Sequence, residues 1–87
     1  MSQVTIYSTG TCPLCEKSKK LMTKWGIAYD EKCVDQDQSA LKEMLSVSNG
    51  ARSVPQIVIK GKWIGGFSEL TELHMDGDLD DIMDSQS

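Results

Sequence analysis

Two cysteines two residues apart, Cys12-Pro13-Leu14-Cys15, stand where a strand-like run meets a helical pattern. Upstream, Gln3 to Ser8 carries Val4-Thr5-Ile6-Tyr7, all types that suit a strand. Thr9-Gly10-Thr11 reads as a loop. Downstream, Pro13 suits the first helical position, where its missing N–H costs nothing. Leu14, Ser18, Leu21, Met22 and Trp25 then recur on one helical face, with Lys17, Lys19, Lys20 and Lys24 mostly off it. The chain must therefore run from a strand straight into a helix, with a dithiol at the junction. Such a pair beside a βαβ pattern is a redox constellation.

The remaining segments follow in order. Gly26 ends the first helix. Ile27 to Val34 predicts a second, more polar strand at a sheet edge. Asp37 is placed to cap a helix carrying Leu41, Met44 and Leu45, and Asn49-Gly50 stops it. Gln56-Ile57-Val58-Ile59 is apolar on both faces, which predicts a central strand. Gly61-Lys62 reads as a tight turn, with Trp63-Ile64-Gly65 returning as the other half of a hairpin. Ser68 is placed to cap a third helix bearing Leu70 and Leu73, broken at Gly77. Leu79, Ile82 and Met83 suggest a last short helical turn, and residues 85–87 a frayed tail. The order is β-α-β-α-β-β-α. A right-handed crossover makes the first two strands parallel, and the closing hairpin adds antiparallel strands. The expectation is an α/β, thioredoxin-like fold: a four-stranded mixed sheet flanked by three helices, in one domain over residues 1–87.

Length and charge narrow the function. An 87-residue chain has room for one modest core. Its net charge of −4 should repel phosphates, which argues against a nucleic-acid partner. No stretch approaches the ~20 apolar residues needed to span a bilayer. Met1-Ser2-Gln3-Val4-Thr5 lacks a basic region followed by an apolar one, so a cytoplasmic protein is expected. Three cysteines is an odd count for a disulfide scaffold, and in a reducing cytosol a close pair points to catalysis or metal. A zinc site drawn from Cys12, Cys15, Cys33 and His74 would have one cysteine pair where structural sites usually have two. No metal is expected.

Thiol chemistry belongs to the thiolate. Cys12 would sit at the first helix's N-terminus, where unpaired N–H groups and the helix dipole favour negative charge. Cys15, nearly one turn on, would be more covered. Cys12 is thus the expected nucleophile and Cys15 the resolving thiol. Pro55 removes a ladder donor at the start of a central strand. A trans strand-start proline is one explanation. The other is a cis proline facing the cysteines, with the Val54 backbone free to pair with an extended chain. Gly65-Gly66 can be a simple hairpin exit. They can also let a ligand approach the backbone, its carboxylate meeting the third helix's N-terminus and its ammonium group Glu69.

Taken together, Cys12-Pro13-Leu14-Cys15, Ser53-Val54-Pro55 and Gly65-Gly66-Phe67-Ser68-Glu69 resemble, in order and spacing, a dithiol glutaredoxin over Val4 to Met83. The resemblance implies a glutathione-dependent thiol–disulfide oxidoreductase, with glutathione as co-substrate. It implies glutathione contacts at Leu14, Ser53, Val54, Pro55, Gly66, Ser68 and Glu69. Val54 would pair with the cysteine of glutathione beside a cis Pro55; Ser68 and Glu69 would hold its γ-glutamyl end. Its partners would be glutathione and disulfide-bonded or glutathionylated proteins, and the chain a monomer. Thr9 stands where many members carry a lysine, Leu14 where tyrosine is frequent, and Glu69 is one methylene longer than the usual aspartate. Arg52 or Lys17 are candidates to replace the missing cation.

Outside the motifs, Cys33 reads as a buried inert thiol, His74 as an exposed residue near a helix end, and Trp25 and Trp63 as packing residues. The first-helix lysines read as a solvated face beside the site, able to steer an anion. Two other functions fit the cysteine pair: a thioredoxin-like electron donor served by a flavoprotein reductase, and a glutathione-ligated iron–sulfur cluster carrier. Pro13 and Cys15 count against the carrier, and the Gly65–Glu69 segment counts against the donor.

Overall fold

The computed structural model describes residues 3–77 of the chain. Seven elements follow one another: β1 (Val4–Ser8), α1 (Pro13–Lys24), β2 (Asp30–Cys33), α2 (Gln38–Val47), β3 (Gln56–Ile59), β4 (Lys62–Gly65) and α3 (Phe67–Met75). The strands form one sheet in the order β2-β1-β3-β4. β2 runs parallel to β1, while β3 lies antiparallel to both β1 and β4. This is the mixed α/β, thioredoxin-like arrangement expected from the sequence. The proposed turn at Leu79, Ile82 and Met83 and the tail at 85–87 lie outside the described residues.

Side-chain alternation along the strands assigns the helices to faces. Val4 and Ile6 of β1 join Ile57 and Ile59 of β3, Met22 of α1 and Leu70 of α3 in one cluster. Tyr7 and Val58 point the other way and meet Val34, and Ala40 and Met44 of α2. α1 and α3 therefore cover one face and α2 the other. Burying an apolar side chain of this size contributes roughly 1.5–3 kcal/mol. The α1/α3 face, where all six residues are fully buried, thus supplies the larger share of the stabilisation.

Local chemistry accounts for most boundaries. The Asp37 carboxylate accepts from the Ser39 and Ala40 N–H groups at 2.9 and 3.4 Å, capping α2 as expected. Four details differ from the sequence reading. The buried face of α1 is Cys15, Ser18 and Met22, while Leu14 is 44% exposed. The buried stripe is rotated onto Cys15, Ser18 and Met22, each fully covered, and Leu14 falls outside it. β2 is confined to Asp30–Cys33; the Ile27 N–H is spent on the Met22 carbonyl at the end of α1, 2.8 Å away. The hairpin turns at Lys60-Gly61, one residue earlier than read, with φ of 52° and 82°. Positive φ at both central residues is what a two-residue loop matching the strand twist requires. Finally, α3 is capped by Gly66, and Ser68 lies inside its first turn.

Candidate active site

The end of β1 delivers the chain to Cys12, which is the N-cap of α1, with Pro13 at the first helical position. Cys12 has extended backbone angles, φ −98° and ψ 110°, so its side chain folds back over the first turn. The Cys15 N–H donates to Cys12 Sγ at 3.1 Å. A helix N-terminus has four unpaired donors, and here one of them is aimed at sulfur. Cys12 is half-buried, Cys15 is fully buried, and both are free thiols. Burial, and then the hydrogen bond with Cys12, push the Cys15 thiol up to about 12. The two sulfurs of one motif thus sit in unlike surroundings.

The second wall comes from the segment before β3. Cys12 Sγ lies 3.6 Å from the Val54 carbonyl oxygen. The Val54–Pro55 peptide bond is cis. The buried Gln56 side chain ties this segment down: its Nε2 donates to the Ser53 carbonyl at 2.9 Å and to Ser53 Oγ at 3.2 Å. The third wall is the start of α3. A Cβ added to Gly66 would come within 3.1 Å of the Pro55 carbonyl oxygen, a tight contact that would make the Pro55 backbone give by a few tenths of an ångström. Glu69 Oε1 accepts from the Gly66 N–H at 2.6 Å, the glutamate half of a capping box. Sequence reasoning aimed Glu69 at a ligand ammonium group; in the structure one of its oxygens serves its own helix. Ser53, Ser68 and Glu69 are exposed, Val54 half-buried and Pro55 buried.

A groove of about 490 Å³ opens on the other side of Cys12, lined by Thr9, Gly10, Thr11, Pro13, Glu16, Lys19, Glu31 and Cys33. Its cation is Lys19, which bridges Glu16 and Glu31. Lys19 and then Ser8, hydrogen-bonded to Glu31, hold that carboxyl below its usual range. Lys19 is therefore pinned, not a freely solvated lysine. Arg52 and Lys17 are both exposed and line no part of this groove. Cys33 is half-buried there, not fully covered, with its sulfur 4.0 Å from Ser8 Oγ. Only strand pairing reveals this: β2 lies beside β1 with Cys33 opposite Ser8. No local motif marks Lys19, Glu31 or Cys33. Trp63 is also more open than a packing residue, at 37% exposure, whereas Trp25 packs on the core and meets His74 edge-on at 4.0 Å.

A family model described as Glutaredoxin matches residues 4–64. The chain belongs to the glutaredoxin family. It is 36% identical over 84 residues to a probable glutaredoxin of Synechocystis sp., covering 97% of this chain and 96% of that protein. Against glutaredoxin 3 of Escherichia coli strain K12 it is 36% identical over 83 residues, covering 95% and 99% of the two chains. Among solved structures, a buckwheat glutaredoxin–glutathione complex superposes with a TM-score of 0.82 at 32% identity, over 93% of this chain and 76% of that one. Family membership and the Cys12/Cys15 pair make the protein a thiol oxidoreductase. Among the described residues, no three or more His, Cys, Asp or Glu side chains gather to hold a metal, and no helix is long and apolar enough to cross a membrane.

Proposed function

We propose that this glutaredoxin is a glutathione-dependent thiol–disulfide oxidoreductase, with Cys12 as nucleophile and Cys15 as resolving thiol. One observation carries the reading: Cys12 Sγ faces the Val54 carbonyl, 3.6 Å away. An extended substrate that pairs with the Val54 backbone brings its own sulfur to Cys12. The Cys12 thiolate attacks the glutathione sulfur of a mixed disulfide. The new S–S bond joins Cys12 to glutathione, and the substrate cysteine leaves as thiolate and takes a proton from solvent. The thiolate of a second glutathione attacks the bound one, giving oxidised glutathione and regenerating the Cys12 thiolate. With a protein disulfide, Cys12 forms the mixed disulfide and Cys15 displaces the substrate, closing an internal disulfide. Cys15 loses its proton as it attacks, because the high pKa keeps it protonated beforehand.

Glutathione is held in this reading by three groups of residues. The Val54 backbone pairs with its cysteine, between Ser53 and Pro55 on one side and exposed Leu14 on the other. The first turn of α3, at Gly66 and Ser68, receives the γ-glutamyl carboxylate. The Glu69 oxygen not bonded to Gly66 meets its ammonium group. The same reading takes residues 1–87 as one domain, a monomer that works in the cytoplasm on glutathionylated or disulfide-bonded proteins.

The test is turnover of a glutathionylated peptide with glutathione and its reductase. Cys12→Ser should lower the rate by ~10³-fold or more. Cys15→Ser should retain deglutathionylation and lose reduction of protein disulfides. Turnover with thioredoxin reductase but not with glutathione would overturn the reading.

A further inference from the structure

The Trp63 indole N–H donates to Gln56 Oε1 at 2.8 Å. Trp63 is on β4, at the far side of the sheet from β2, and 37% exposed. Gln56 is only 4% exposed, and its Nε2 holds both the carbonyl and the hydroxyl of Ser53. We propose that Trp63 is a positioning residue for glutathione, acting through Gln56 on the Ser53–Val54 backbone. This rests on the reading in which Val54 pairs with glutathione.

The chemistry of the donors sets the direction of the tether. An indole nitrogen only donates, and a carbonyl oxygen only accepts. Trp63 therefore demands the oxygen of the Gln56 amide, and the Ser53 carbonyl demands its nitrogen. A flipped amide would set N–H against N–H at one end and oxygen against oxygen at the other. Trp63 thus holds the amide in the one orientation that clamps Ser53. The next residue is Val54, whose carbonyl faces Cys12 Sγ at 3.6 Å. Without the indole N–H, a buried amide oxygen loses its partner. The amide is then held at the Ser53 end alone, and the Val54 backbone loses its fixed pose.

Trp63→Phe keeps the aromatic ring and removes the donor. At a partly exposed site it should fold. With a glutathionylated peptide, KM should rise roughly three- to tenfold and more than kcat falls. Gln56→Leu should do the same, and Trp63→Phe should add nothing in the Gln56→Leu background, because one tether is already cut. Backbone amide order parameters at Ser53 and Val54, measured by NMR without glutathione, should fall in Trp63→Phe while those of Ile57 to Ile59 stay unchanged. Wild-type KM in Trp63→Phe, or a full additional loss in the double variant, would overturn the positioning role. Unchanged Val54 order parameters would refute the tether whatever the substrate. A wild-type protein that handles cysteinylated and glutathionylated peptides alike would instead refute the glutathione reading, and with it the role in KM.

Discussion

Two helices begin at the candidate site, and they use their first turns differently. At α1 the cap is the Cys12 sulfur, which accepts the Cys15 N–H at 3.1 Å. At α3 the N-cap is Gly66, and Glu69 turns back to accept its N–H at 2.6 Å. Each helix N-terminus carries unpaired donors and partial positive charge. One spends them on an atom that can change its covalent state. The other gives its Gly66 N–H to its own carboxylate. Between them runs Val54-Pro55, with the Val54 carbonyl towards Cys12 and the Pro55 carbonyl against Gly66. In the proposed function, reactivity and recognition fall to separate helix ends.

The α1 end should be the one that feels alkaline pH most. Cys15 has its thiol pushed from 9.0 up to about 12, by burial first. Below pH 9 folded and unfolded chains both keep that proton, and the full stability is present. As pH rises from 9 towards 12 the unfolded chain releases it first, so stability falls across that window. Denaturant melts at pH 8 to 11 should show this fall in wild type and a shallower one in Cys15→Ala. Equal slopes would mean that the cover over Cys15 does not resist its ionisation.

The α3 end should respond to geometry instead. Gly65 has φ of +121°, and a Cβ there would lie 2.7 Å from Glu69 Cγ. Gly65→Ala therefore combines a strained backbone with displacement of the capping carboxylate. It should cost about 1–3 kcal/mol in thermal or denaturant unfolding. Wild-type stability would show that Glu69 can move aside freely, weakening the contrast between the two ends. Smaller still, Glu69→Ala removes only the acceptor for the Gly66 N–H, and should cost about 0.5–1 kcal/mol. Its effect should shrink in the Gly65→Ala background, where that carboxylate is already displaced.

Much of the fold was legible because its signals are local. The alternation in Val4 to Tyr7, the Asp37 cap and the apolar run Gln56 to Ile59 need only neighbouring residues. The misplacements came where long-range contacts compete. Gly66 took the cap that Ser68 was expected to supply, because the chain packs closely on the Pro55 carbonyl there and Glu69 supplies the return bond. Lys19 reads as one of four surface lysines until β2 brings Glu31 alongside it.

From sequence alone, the dithiol at a strand-to-helix junction determined where redox chemistry sits. The order of elements determined the sheet that carries it. These follow from backbone propensity and from the spacing of two sulfurs along a few residues. Tertiary structure alone decided which donors and carbonyls surround those sulfurs. It joined Cys33 to the groove beside Cys12 and linked Trp63 to Ser53 through Gln56. Those relations depend on strand register and burial, which pair residues far apart in the chain and leave no local mark on it.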